Sequence, residues 1–293
     1  MQTAATRQRA EQLAATLPPL LVSAERVAAT VAQGVHGRCR VGVGETFWQF
    51  RQYQPGDPAI KIDWRQSAKS ERIFVREHEW EAAQSIWLWR DDSPSMHYAS
   101  GGAPCEKSER ATVLLLATTA LLLRAGEFVA LLGVDRTPST GRGTLNRFAA
   151  ALDQEATNDN QRNSIPPSER LPRYAQLVLV GDFLSPIEEL EETLKLYASR
   201  GVKGHLLQVA DPAEEDLPFT GRTRFHGLEG EEAYTVSRVE NLRSDYDARF
   251  FAHQTALVDL TRSIGWTFSS HRTDRPPQTA LLALYQALSG ELG

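Results

Sequence analysis

Beyond residue 80 the chain repeats one pattern, a short apolar run of strand length followed by a longer stretch of helical periodicity. Ile86 to Trp89 precedes a helical stretch from about Lys107 to Arg124, and Phe128 to Val134 precedes one from about Thr144 to Leu152. Leu177 to Val180 is followed by a helix from Pro186 to Ser199 that opens on Pro and ends at Gly201. His205 to Val209 comes next, then a long helical stretch from Arg238 to Ile264, a last strand at Trp266 to Ser269 and a closing helix at Ala280 to Leu288. Strand and helix in alternation require crossovers between parallel strands, so the expected class is α/β with a doubly wound, mostly parallel sheet. Ligands of such sheets sit at the carboxyl ends of the strands.

The texture upstream is different. Residues 1–34 read as an N-terminal helical segment interrupted by Pro18-Pro19, and residues 35–80 as a small β-rich appendage. Within it, Pro55-Gly56-Asp57 is the sharpest turn signal, with Pro suited to i+1 and Gly to i+2. Residues 81–293 form the main domain, in which Asp153 to Arg170, rich in Asn, Gln, Ser and Pro, is expected to bury little and to be an exposed, mobile loop.

Composition removes several function classes. At 41% hydrophobic and 24% charged, the 293 residues suffice for a substantial core. A net charge of -5 and a pI near 5.9 disfavour general nucleic-acid binding. Cys39 and Cys105 are too few for a disulfide framework. The N-terminus has no signal-peptide core, and the longest apolar run, Ala111 to Leu123, falls short of the roughly 20 residues that span a bilayer. A cytoplasmic protein without membrane insertion is expected.

Asp91-Asp92-Ser93-Pro94-Ser95-Met96 directly follows the first strand of the main domain and places a carboxylate and two hydroxyls at i, i+2 and i+4. That is a cation site in outline. Ser93 and Ser95 equally suit the cap of a following helix, and Asp182, which closes Leu177-Val178-Leu179-Val180-Gly181, suits a βα-loop cap. Further ligands are expected in loops after neighbouring strands, where Asp182 lies and where Gly141-Arg142-Gly143-Thr144 offers a threonine hydroxyl.

Asp-x-Ser-x-Ser, the later Thr144 and Asp182 together resemble the metal-ion-dependent adhesion site of von Willebrand factor A domains. The stretch FWQFRQYQPGDPAIKIDW, Phe47 to Trp64, resembles the signature of the bacterial family catalogued as domain of unknown function 58. These resemblances imply a von Willebrand A-like fold for residues 81–293. They also imply a divalent cation, Mg²⁺ before Mn²⁺ or Ca²⁺, held by Asp91, Ser93, Ser95, Thr144 and Asp182, a hard all-oxygen set. A coordination position left open for a partner's carboxylate would make the site a docking device. By family resemblance the expected associate is a MoxR-type AAA+ ATPase, with this chain as an adaptor in assembly or maturation of another complex.

Residues 36–76 carry eight Lys/Arg against four Asp/Glu, including Arg51, Asp57, Lys61, Asp63 and Arg65, which are read as structural charge pairs or a solvated face. No Gly-x-Ser-x-Gly elbow, Walker loop or HExxH occurs, and the seven histidines are scattered. A binding module is therefore expected rather than an enzyme. The alternatives are a metal-dependent hydrolase or phosphatase using an ion on Asp91 and Asp182, and a structural domain with a vestigial site.

Overall fold

The computed structural model describes residues 40–42, 46–53, 62–69, 72–80, 85–155, 163–228 and 232–289. Two compact units form, one within residues 25–84 and one containing residues 85–293. The helix expected over residues 1–33, the Pro55-Gly56-Asp57 turn and most of the Arg51 to Trp64 stretch lie outside the described residues.

In the smaller unit β1 (Arg40–Gly42), β2 (Thr46–Gln52) and β3 (Phe74–Trp80) make an antiparallel sheet in the order β1-β3-β2. The register of β2 against β3 shifts between Phe47 and Gln49, the mark of a bulge. A single-turn helix α1 (Trp64–Ser67) precedes β3. Ser67 locks it, donating to Asp63 O at 2.8 Å and accepting from Phe74 N at 2.9 Å.

The larger unit opens with β4 (Ser85–Arg90), followed by α2 (Lys107–Arg124), β5 (Phe128–Leu131), α3 (Arg142–Glu155), β6 (Gln176–Gly181), α4 (Ile187–Ser199) and β7 (Lys203–Ala210). A five-residue helix α5 (Pro212–Asp216), a hairpin of β8 (Thr223–Phe225) and β9 (Tyr234–Val236), α6 (Arg243–Ser263), β10 (Thr267–Arg272) and α7 (Pro277–Ser289) complete it. Strands β10-β7-β6-β4-β5 form one sheet, every pair parallel. This is the doubly wound α/β architecture expected from the alternation.

Both faces of the sheet are covered at its centre, so β4 and β6 read as largely apolar runs. Along β4, Ile86 and Leu88 pack with Leu114 and Leu115 of α2, Phe148 of α3 and Leu284 of α7. Trp87 and Trp89 turn to the other layer, with Leu190, Leu194 and Tyr197 of α4 and Leu257 of α6. The first strand pairs with β5 on one side and β6 on the other, and the chain then continues outward through β7 and β10. The order reverses at β4/β6, and at that switch point the crossovers diverge and leave a crevice above the strand ends.

Local chemistry shifts several boundaries. The strand expected over Phe128 to Val134 stops at Leu131, because Asp135 folds back: its carboxylate accepts from Leu131 N at 2.9 Å and its own N–H donates to Leu131 O at 2.8 Å. Helix α4 ends where expected, with Gly201 at a φ of 80°. The long helix expected over Arg238 to Ile264 is a 3₁₀ turn at Val239–Asn241 followed by α6. Helix α5 and the β8–β9 hairpin are elements the periodicity does not show, since five- and three-residue pieces carry too few positions to display a period.

The loop expected to be exposed and mobile over Asp153 to Arg170 is corrected at both described ends. Helix α3 continues to Glu155, and within residues 163–170 Pro166 is buried and Ile165 packs on the apolar layer, while Asn163, Ser168 and Arg170 are exposed as expected. The buried Tyr197 hydroxyl pins this segment by donating to Pro167 O and accepting from Glu169 N at 3.1 Å. Prolines limit what a loop can pair with, but their carbonyls still accept. Tyr197→Phe removes both bonds and is expected to cost about 1–3 kcal/mol, measured as a lower urea midpoint with an unchanged slope.

Candidate functional site

Four of the five residues singled out in the sequence converge above the β4/β6 switch point. Asp91 leaves β4 with its N–H on Val180 O at 2.8 Å, so the last rung of the β4/β6 ladder orients its side chain. Asp91 Oδ1 accepts from Ser93 N at 2.9 Å. The Ser93 and Ser95 hydroxyls lie 2.9 Å apart, and Ser95 Oγ donates to Asp182 Oδ2 at 2.7 Å. All four residues are buried, Asp91 completely.

The capping alternative fails for the serines. Ser93 precedes a 3₁₀ turn at Pro94–Met96 without a side-chain capping bond, and α2 begins after Glu106, which makes none either. Both hydroxyls are committed to the crest. Asp182 does brace its own loop, accepting from Leu184 N through Oδ1 at 3.2 Å, while α4 starts later, after Pro186. Asp92, next to the key aspartate, is drawn away into a buried ion pair with Arg90 at 2.6 Å.

Thr144 is placed differently. It is buried in the first turn of α3, and its hydroxyl lies 3.2 Å from Ser139 Oγ, which also accepts from Arg147 at 2.7 Å. Among the described residues no hydrogen bond joins it to the Asp91–Asp182 network. His97 likewise stays apart, its Nδ1 3.3 Å from Glu106 Oε2.

Two residues that the sequence did not single out complete the network. Lys107, in the first turn of α2 and fully buried, donates from Nζ to Asp182 Oδ2 at 2.9 Å and to Glu214 Oε1. Glu214 belongs to α5, where its other oxygen accepts from Asp211 N at 2.8 Å in a capping box. Lys107 opens a helix whose first turn is polar throughout, Lys107-Ser108-Glu109-Arg110, so nothing singled it out, and Glu214 had no signal either, because only the fold brings residue 214 to residue 107.

The electrostatics follow from this burial. Asp91 is pushed up to about 8, first by burial and then by the negative charge of Asp182, against the pull of Ser93 and Lys107. Burial disfavours the charge on Lys107, yet Asp182 and Glu214 outweigh it and hold the ammonium above its ordinary range. Burial raises Glu214, partly offset by Lys107.

The crest residues suit a small hard cation on three grounds. Asp91 Oδ2 is buried without a hydrogen-bond partner among the described residues, an acceptor left over for something else. Its space is reserved by Gly181: a Cβ there would lie 2.5 Å from Asp91 Cβ and 2.8 Å from Oδ2. Third, Asp182 and Glu214 share one ammonium, and Asp91, once ionised, would add a further negative charge that a divalent ion would offset. Among the described residues no group of three or more His, Cys, Asp and Glu gathers to hold a metal ion, so any ion here would rest on two carboxylates and hydroxyls.

Comparison with known proteins gives the following. The model of the family described as protein of unknown function DUF58 matches residues 49–256, starting inside the Phe47 to Trp64 stretch and running beyond Asp182 into α6. Uncharacterized proteins from Mycobacterium bovis and Mycobacterium tuberculosis are each 28% identical over 276 residues, covering 90% of this chain and 86% of theirs. Among solved structures, a conserved hypothetical protein BatB from Bacteroides thetaiotaomicron is similar with a TM-score of 0.43 and 14% identity, covering 71% of this chain and 98% of that one. An aerotolerance-related membrane protein from Bacteroides fragilis has a TM-score of 0.40 and 13% identity, covering 71% of this chain and 99% of that one. No described helix of the present chain is long and apolar enough to cross a membrane.

Proposed function

We propose, for a chain that belongs to the DUF58 family of proteins of unknown function, that the β4/β6 crest is a divalent-cation site through which it docks a protein partner without catalysing a reaction. The observation that carries this reading is the buried Oδ2 of Asp91, without a hydrogen-bond partner among the described residues, beside two serine hydroxyls already drawn together and toward Asp182. Asp91, Ser93, Ser95 and Asp182 would hold the ion, Mg²⁺ in the first place, with Thr144 of α3 as the remaining candidate ligand. When bound, the ion supplies an open coordination position for a carboxylate of the partner.

The chain's own residues do the rest. Gly181 lets the Asp91 carboxylate lie against β6, Leu184 N steadies Asp182, and Met96, fully buried, roots the serine turn in the core. We read the domain as von Willebrand A-like on the order and spacing of these motifs. As partner we propose a MoxR-type AAA+ ATPase, which this chain would serve as an adaptor in assembly or maturation of another complex.

Calorimetric titration tests the site. Wild type is expected to bind Mg²⁺ or Mn²⁺, and Asp91→Ala to lose that binding. Equal binding by the variant would remove Asp91 from the shell and sink the reading. Capture of a purified MoxR-type ATPase should require the metal and disappear with a chelator; capture indifferent to the chelator would dismiss metal-dependent docking.

A further inference from the structure

We propose that Lys107 is a positioning residue of the crest, a built-in cation that competes with the divalent ion for Asp182 and whose second anchor, Glu214, draws it aside to let that ion in. The inference rests on the cation reading above and deepens it by naming what tunes the site.

Both oxygens of Asp182 are engaged by the protein. Oδ1 accepts from Leu184 N at 3.2 Å, whereas Oδ2 accepts from Ser95 Oγ at 2.7 Å and from Lys107 Nζ at 2.9 Å. Asp91 Oδ2, by contrast, has no hydrogen-bond partner among the described residues. The two carboxylates therefore stand in different states: one waits for a ligand, and the other is already satisfied by an ammonium. A divalent ion that draws on Asp182 must overcome its repulsion from that ammonium.

Lys107 has somewhere to go. Its Nζ is shared with Glu214 Oε1, and that carboxylate is fixed by the capping box of α5 rather than free to follow. Asp182 lies in the loop after β6 and Glu214 in the helix after β7, so the ammonium bridges two neighbouring crest loops. Movement of charge toward Glu214 leaves Asp182 to the ion. The same contact ties the cation site to the position of α5.

A purely structural lysine and a competing one make different predictions. Loss of a lysine that only props the crest open would weaken cation binding. Loss of a competitor strengthens it, and loss of its alternative anchor weakens it. Lys107→Met is therefore expected to bind Mg²⁺ or Mn²⁺ on the order of tenfold more tightly than wild type, from the removed repulsion of two like charges. Its melting temperature should fall in chelator, where Asp182 and Glu214 lose their counter-ion, and recover on adding Mg²⁺ by more than wild type gains. Glu214→Gln should bind the ion several-fold more weakly, while Glu215→Gln, on the same helix but paired with Arg272, should bind as wild type does.

Calorimetry and thermal melts of these variants as full chains decide the matter. Binding by wild type together with unchanged or weaker binding by Lys107→Met overturns the role of Lys107 and leaves the cation site standing. Silence from wild type but binding by Lys107→Met supports a competitor strong enough to mask the site. Silence from both overturns the cation reading itself. Should Lys107→Met not fold, Glu214→Gln decides instead, and binding equal to that of Glu215→Gln overturns the proposal.

Discussion

Gly181→Ala is expected to destabilise the larger domain by about 3 kcal/mol, near the upper end of what overpacking usually costs, and to abolish the proposed cation binding. The added methyl would sit 2.5 Å from Asp91 Cβ, 2.8 Å from Oδ2 and 3.2 Å from Cγ. Relief by a side-chain rotation is ruled out, because the nearest atom is the Cβ, which moves only with the backbone. That backbone is held by the hydrogen bond from Asp91 N to Val180 O and by the parallel ladder beneath it. The strands must spread, or Asp91 must leave the crest. Denaturant unfolding and calorimetry on the same preparation would show both effects. Gly143→Ala provides the opposite sign: Gly143 is the second residue of α3 with nothing within 4 Å of a new Cβ, and the change should add roughly 0.4–1 kcal/mol. Equal outcomes for the two glycines would contradict this account of the crest.

The second large effect is on acid stability. His205 is buried and lies between Thr267 Oγ1 at 2.6 Å and Ser269 Oγ at 2.9 Å across the β7/β10 pair, and burial pulls it down to about 4. His271 is lowered to about 4 as well, by burial and then by the adjacent Arg110. In the unfolded chain both titrate near their ordinary value of 6.5, so between these limits the unfolded state binds more protons and stability rises with pH. The contribution is complete above about pH 6.5 and is lost as the pH falls toward 4. At pH 4.5 the loss should be about 2 kcal/mol per histidine relative to pH 7.

The buried Asp91 acts in the opposite sense over the same range, because its raised value makes the folded state the better proton binder. Absolute stability curves therefore mix the two contributions, and a difference between variants separates them. His205→Gln keeps a hydrogen-bonding group but cannot charge. Its stability should fall by about 2 kcal/mol less than wild type's between pH 7 and pH 4.5. Parallel curves for the two proteins would refute the assignment to His205.

Much of the fold and most of the site could be read from the residues, for reasons that differ between elements. The central strands β4 and β6 are buried on both faces, so their runs are largely apolar and stand out from the helices between them. Asp91, Ser93 and Ser95 sit so close together in the chain that their spacing nearly dictates their proximity. Asp182 was reachable because a parallel sheet places every strand end on one edge. Thr144 tested the limit of that logic: it follows β5, in the first turn of α3, yet its hydroxyl is bound to Ser139, and no hydrogen bond among the described residues joins it to the Asp91–Asp182 network. Being on the same edge is a matter of topology, whereas sharing a hydrogen bond is a matter of side-chain reach.

What the sequence determined by itself was therefore periodic or local: the alternation that demands a parallel sheet, and the short run that leaves its first strand. Tertiary structure alone decided which atoms meet. It separated Asp91 from its neighbour Asp92, which pairs with Arg90, and left one oxygen of Asp91 buried without a hydrogen-bond partner among the described residues. It also brought Lys107 between Asp182 and Glu214, residues 75 and 107 positions away along the chain. The physical reason is that burial and charge act through space. A lysine's partners are set by which loops the sheet brings to the same edge, and no spacing along the chain records that.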